Sequence, residues 1–65
     1  MQKNIDAIQQ AFNGIVYAKV AHDVHAEVRA ESRLFDVCLT NGMDFDEPDH
    51  IQWAASVLTQ EWVSA

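Results

Sequence analysis

The sequence has little of what secreted and membrane proteins carry. Its one cysteine, Cys38, cannot form an internal disulfide, which is typical of an intracellular protein. No apolar run reaches the about 18 residues that a membrane-spanning helix needs. Residues 1–10 also lack the apolar segment of a signal peptide. We therefore expect a cytoplasmic protein that makes no contact with a membrane.

Large apolar side chains are scarce as well, and the chain is short. Apolar residues make up 49% of its 65 residues, but nine of them are alanine, so the core must be thin. We expect a single domain over residues 1–65, too small to enclose a substrate pocket of roughly 300 Å³ or more. The size therefore favours a binding protein over an enzyme, and we predict no catalytic residue and no cofactor.

Basic residues are absent from the second half of the chain. Residues 1–33 contain four acidic and four basic side chains, which cancel. The whole net charge of −6 therefore lies in residues 34–65, on Asp36, Asp44, Asp46, Glu47, Asp49 and Glu61. Such a surface repels phosphate backbones and anionic lipids, so we expect no direct nucleic-acid binding. The partner expected is a protein with a basic, nucleic-acid-binding surface.

Two segments have the apolar spacing of amphipathic helices. The first carries this spacing on Ile5, Ile8 and Phe12. Asn4 is predicted to cap this helix, and residues 13–14 (Asn-Gly) are predicted to end it. The second helix is predicted to begin with Asp46 as its N-terminal cap. Its apolar stripe is formed by Ile51, Ala54, Ala55, Leu58 and Trp62.

Between these helices the pattern changes to the period of two that is typical of strands. Residues 15–21 are β-branched and aromatic, and residues 34–40 are again mostly apolar. The clearest alternation runs through residues 24–31, where polar residues separate Val24, Ala26, Val28 and Ala30. Abundant alanine also permits a helix over residues 16–31, but the alternation favours strands.

Short turn signals separate the predicted strands. Residues 22–23 (His-Asp) and residues 41–42 (Asn-Gly) are predicted to be tight turns, and residues 43–45 form either a short fourth strand or a loop. The predicted fold is therefore α+β, in the order α-β-β-β-α. It has a three-stranded or four-stranded antiparallel sheet with both helices packed on one face.

Four carboxylates are crowded into residues 44–49, and they have three interpretations. Asp46 and Asp49 could satisfy the amides of a helix N-terminus. A calcium loop of the EF-hand type would need glycine and glutamate where Asp49 and Ala55 stand, so it is excluded. Contact with a cationic protein surface is favoured by the absence of nearby bases. We predict a partner-binding surface formed by Asp36, Asp44, Asp46, Glu47, Asp49, Trp53 and Glu61.

The two tryptophans of the second helix have different positions around its axis. Trp62 falls on the apolar stripe and is predicted to be a core residue. Trp53 points away from the stripe at 100° per residue. Either it packs on a wider helix face or a loop, or it is exposed beside the carboxylates, where it would be a good interface anchor.

Histidine and cysteine form no recognisable metal or catalytic motif. The spacing of a structural zinc site is not met by His22, His25, Cys38 and His50. A nucleophilic Cys38 would need a neighbouring base, and none is predicted. We therefore predict no metal site and an inert cysteine.

In size, charge and composition the chain resembles the small phage-encoded anti-CRISPR proteins. The resemblance covers the whole chain and is carried by the DFDEPD run (residues 44–49), Asp36, Glu61 and the base-free residues 34–65, without a signature motif. It is most similar to the DNA-mimic inhibitors of type I surveillance complexes, including those of subtype I-C. The resemblance implies a monomeric, non-enzymatic inhibitor in the host bacterial cytoplasm, bound where the effector complex receives target DNA or its short recognition motif.

Two other classes of protein stay open. One is an antitoxin-like or regulatory module that neutralises a basic partner and would carry the same acidic patch. The other is a small oligomeric structural or adaptor protein. In that case we expect self-association through a sheet edge or through the outer sheet face, formed by Tyr17, Lys19, Glu27 and Arg29.

Overall fold

A computed structural model describes residues 3–64 of the chain, which form three helices. These are α1 (Ile5–Val20), α2 (Val24–Thr40) and α3 (His50–Ser64). No strand occurs among the described residues, so the predicted α+β fold is wrong and the architecture is all-helical. Residues 43–45 are a loop. The predicted domain (residues 1–65) includes residues 1, 2 and 65, which lie outside the described part.

Helix α2 covers the segment in which alternation predicted a strand. An alternating apolar series also contains every i, i+4 pair, so Val24 and Val28 share one face of a helix as readily as one face of a strand. Most of the intervening residues are strong helix formers. Asp23 also caps the segment, since its side chain accepts a hydrogen bond from the Ala26 amide (3.1 Å). Capping and propensity therefore outweigh the alternation, and both valines are exposed.

Helix α1 continues through residues 13–14, which were predicted to end it. Gly14 has ordinary helical geometry, and a Cβ atom there would lie 3.7 Å from the Cβ of Ala30 on α2. Two small residues thus face each other where α1 and α2 pack together. The strand predicted over residues 15–21 is wrong, because residues 15–20 complete the helix, with Ile15 and Ala18 buried.

The N-terminal caps of all three helices have the same geometry. The side chains of Asn4, Asp23 and Asp49 each accept a hydrogen bond of 3.1 Å from the amide three residues further on. The prediction for Asn4 is confirmed. The prediction for Asp46 is wrong, because α3 begins at His50 and Asp49 caps it.

Both connections between helices open with a Schellman motif. At the end of α1, the His22 amide donates a hydrogen bond to the carbonyl of Lys19, and the Asp23 amide donates one to the carbonyl of Ala18. His22 has a φ of 55° at the left-handed position of this motif. At the end of α2, the Gly42 amide donates a hydrogen bond to the carbonyl of Leu39, and the Met43 amide donates one to the carbonyl of Cys38. Turns therefore do form at both predicted places, but they join helices rather than strands.

One core is shared by the three helices and the second connection. The largest fully buried side chains at its centre belong to Ile8, Leu34, Cys38 and Leu58. Ala11, Ile15, Met43 and Ala54 complete the buried cluster. Trp62 was predicted to join this core, but it is 64% exposed because the stripe of α3 continues past the packed part of the helix. None of the described helices has the length and apolar character needed to cross a membrane.

Candidate protein-binding surface

The acidic loop (residues 44–49) is held at both ends. It follows Met43, which is buried in the core and ends the Schellman motif of α2. It ends at Asp49, the cap of α3. Within the loop, the amide of Glu47 donates a 3.0 Å hydrogen bond to the carbonyl of Asp44. These fixed points pre-organise the loop, so binding a partner through it would cost little ordering entropy.

Phe45 is the exposed apolar side chain of the acidic loop. It is 78% exposed, although its ring edge lies against Phe35 of α2 with the ring centroids 6.3 Å apart. Asp44 and Asp46 flank it and are both exposed, and Glu47 is half-buried. The loop therefore presents an aromatic ring among carboxylates, which is the composition of an anchor with a charged rim.

A shallow groove of about 420 Å³ lies beside the loop, between α2 and the start of α3. His50 forms one wall, since its Nε2 atom lies 3.1 Å from the carbonyl oxygen of Glu31 and its ring packs edge-on against Phe35 at 5.4 Å. The groove is lined by Val28, Glu31, Ser32, Phe35, Asp36 and His50. It extends the acidic loop onto α2 with one apolar ring and two more carboxylates.

The predicted site residues separate into two groups. The surface around Phe45 contains Asp36, Asp44, Asp46, Glu47 and Asp49. Asp49 is exposed but already accepts a hydrogen bond as the cap of α3. Glu61 lies apart from them, because twelve residues of helix separate it from Asp49, or roughly 18 Å at 1.5 Å per residue.

Trp53 is half-buried and packs against the core, so it is not the exposed anchor that one interpretation of the sequence offered. Phe45 has that position instead, and it was not predicted as a site residue. The sequence feature that could have indicated an exposed Phe45 is its place between two aspartates, in a segment that also contains proline.

Cys38 lies in the core, and burial raises the pKa of its thiol to about 11. It therefore stays protonated at neutral pH, which is the unreactive form. Its Sγ atom donates a weak 3.8 Å contact to the carbonyl of His50. His22 lies in the first connection and His25 in the first turn of α2. Within residues 3–64 no three potential metal ligands come together.

Comparisons with protein-family models, with curated protein sequences and with solved structures found no match to this chain.

Proposed function

We propose that this chain is a non-enzymatic inhibitor that binds a basic, nucleic-acid-binding surface of another protein through the acidic loop and Phe45. The observation that supports the proposal is the pre-organised loop, in which an exposed aromatic ring stands among carboxylates. A few residues near the centre of an interface contribute most of its binding energy, and aromatic side chains are frequent among them. Surrounding carboxylates accelerate encounter with a basic surface and fix its orientation.

The partner we propose is a type I CRISPR effector complex, on the strength of the resemblance to DNA-mimic anti-CRISPR proteins. A protein that binds DNA has a groove of Arg and Lys side chains, to which a row of carboxylates is complementary. The acidic loop is only six residues long, so it would fill a short part of such a groove. The site for the short recognition motif fits this length better than the whole duplex channel. The inhibitor would act in the cytoplasm of the host bacterial cell.

The test is displacement of target DNA from a purified type I effector complex, followed by fluorescence anisotropy of the labelled duplex. The loop variant combines Asp44→Asn, Asp46→Asn and Glu47→Gln. The matched control combines Gln10→Lys, Ser56→Lys and Gln60→Lys at exposed helical positions. Both triple variants make the net charge of −6 less negative by three, so a difference in affinity between them is not explained by net charge.

We expect the unmodified chain to displace DNA, and to do so less well as salt is added. The loop variant should be weakened about tenfold or more, while the control should keep most of its affinity. Equal weakening of both would show that net charge alone matters and would contradict the role of the loop. Failure of the unmodified chain to displace DNA from type I complexes would contradict the proposed partner.

A further inference from the structure

A second groove lies between α1 and α2. It has a volume of about 190 Å³ and is lined by Gln10, Ala11 and Gly14 of α1 and by Arg29, Ala30 and Arg33 of α2. None of these residues lines the groove beside the acidic loop. A drug-sized ligand needs roughly 300 Å³ or more, so the second groove has room for a small chemical group only.

Two arginines place positive charge on one wall of the second groove. Arg29 and Arg33 are spaced i, i+4, so they are neighbours on the same face of α2. Both are exposed, and among residues 3–64 neither of them forms an ion pair. Like charges at this spacing destabilise a helix. The stability of α2 therefore does not explain why the two arginines stand together.

The acidic side chains of α2 lie elsewhere. Glu27 forms an ion pair with Lys19 of α1, and Glu31 and Asp36 line the groove beside the acidic loop. Within the described part of the chain, no acidic residue lines the second groove. Its two arginines give it a formal charge of +2 in a chain of −6, so it is a local site for an anion.

Gly14 keeps the floor of the second groove open. A glycine inside a helix is less favourable than an alanine. Packing against α2 does not require the glycine, because a Cβ atom there would lie 3.7 Å from the Cβ of Ala30, an ordinary van der Waals distance. Glycine is favoured where a ligand approaches the backbone closely. An anion in the groove would account for both the glycine and the arginines.

We propose that the second groove binds the phosphate group of a small molecule. A guanidinium group presents paired N–H donors that match the oxygens of a phosphate, and two such groups line this groove. On the opposite wall, the side-chain amide of Gln10 can donate a further hydrogen bond. The acidic remainder of the chain repels a polyanion, so the ligand is a small phosphate compound and not a nucleic acid. This site is independent of the acidic loop and its partner.

The first test is an NMR titration of the ¹⁵N-labelled full chain with inorganic phosphate at constant ionic strength. We expect saturable shifts of the Nε–Hε signals of Arg29 and Arg33, and weaker binding of acetate. Arg29→Gln should weaken phosphate binding about tenfold or more, since it removes one charged donor group. The matched control is Lys3→Gln, which removes the same charge at an exposed residue outside the groove. It should bind phosphate like the unmodified chain.

The second test separates the groove from the stability of the fold. Gly14→Ala should raise the melting temperature by about 4 °C, because alanine favours the helix and has room beside Ala30. The same methyl group should weaken phosphate binding about threefold or more, since it fills part of the floor of a small groove. A variant that folds more stably but binds more weakly has lost the site and not the fold.

Four results would overturn the proposal. The first is shifts that do not saturate, or that acetate reproduces at the same concentration. The second is equal weakening by Arg29→Gln and Lys3→Gln, and the third is a Gly14→Ala variant that binds phosphate as tightly as the unmodified chain. The fourth is a single-stranded oligonucleotide that binds more tightly than inorganic phosphate at the same phosphate concentration, which would assign the groove to nucleic acid. None of these results bears on the acidic loop, so the proposed function is tested separately.

Discussion

The two connections of this small protein are built from the same parts and differ in what lies between them. Each opens with a Schellman motif and closes with an aspartate that caps the next helix. In the first connection, Asp23 belongs to both motifs, so the helices follow each other directly. In the second, the corresponding residues are Met43 and Asp49, with five more residues between them. The comparison shows that a Schellman motif and an N-terminal cap are sufficient to connect two helices. The additional residues are available for binding.

Burial differs most sharply at the last residue of each Schellman motif. Asp23 is exposed and polar, whereas Met43 is buried against Cys38. An apolar contact of this kind commonly accompanies the motif. It fixes the acidic loop to the core, so the loop can carry an exposed Phe45 without losing its position.

The largest expected effect comes from a substitution that removes this buried contact. Met43→Ala should lower the free energy of unfolding by about 2–5 kcal/mol, because it leaves a cavity in the core. The matched control in the same loop is Phe45→Ala, which should change stability by only about 0.5 kcal/mol since that ring is mostly exposed. Urea unfolding followed by circular dichroism measures both. Equal losses of stability in the two variants would contradict the assignment of Met43 as a buried residue and Phe45 as an exposed one.

A smaller effect concerns the left-handed position that both connections share. Gly42 has a φ of 100°, and no atom lies within 4 Å of a Cβ placed there. Because of this backbone conformation, Gly42→Ala should lower the free energy of unfolding by about 1–2 kcal/mol. His22 holds the same position in the first connection with a φ of 55°. His22→Gly should therefore raise the free energy of unfolding by about 0.5 kcal/mol. Melting temperatures of the two variants should shift in opposite directions. Shifts of the same sign would contradict the equivalence of the two motifs.

The smallest expected effect tests which aspartate caps α3. Asp49→Ala should destabilise the protein by about 1 kcal/mol, and Asp49→Asn should retain most of the cap. Asp46→Ala serves as the control, because its side chain caps no helix, and should change stability by about 0.5 kcal/mol or less. If Asp46→Ala were the more destabilising variant, α3 would begin earlier than His50. Thermal unfolding by circular dichroism resolves this difference.

Local signals in the sequence predicted some ends of elements correctly, but residues 13–14 do not end α1 and Asp46 does not cap α3. The cap Asn4 and the turns at residues 22–23 and 41–42 were predictable because a side-chain oxygen or a glycine acts within a few residues. Alternation over residues 24–31 was misleading because it fits two periods at once. The cap at Asp23 and the helix propensity of the intervening residues favour the helix, and packing adds to them, since Ala30 lies opposite Gly14 on the neighbouring helix.

The candidate site was predictable in charge but not in shape. Clustering of acidic residues near residues 44–49 was visible in the composition of the second half. The orientation of the aromatic rings was not, because Trp53 and Trp62 depend on where α3 crosses the other helices. Trp53 is packed and Trp62 is exposed, the reverse of what the spacing around the helix indicates. Phe45 lies in a segment whose structure, a short strand or a loop, the sequence left open, and it is 78% exposed.

The account depends most on Phe45 as the anchor of the acidic loop. The most direct measurement compares the affinities of Phe45→Ala and Trp62→Ala for the purified type I effector complex, since both remove a large exposed aromatic side chain. Phe45→Ala should raise the dissociation constant about tenfold or more, and Trp62→Ala should change it by less than about twofold. Equal dissociation constants, or a larger loss for Trp62→Ala, would contradict the assignment of the acidic loop as the binding surface.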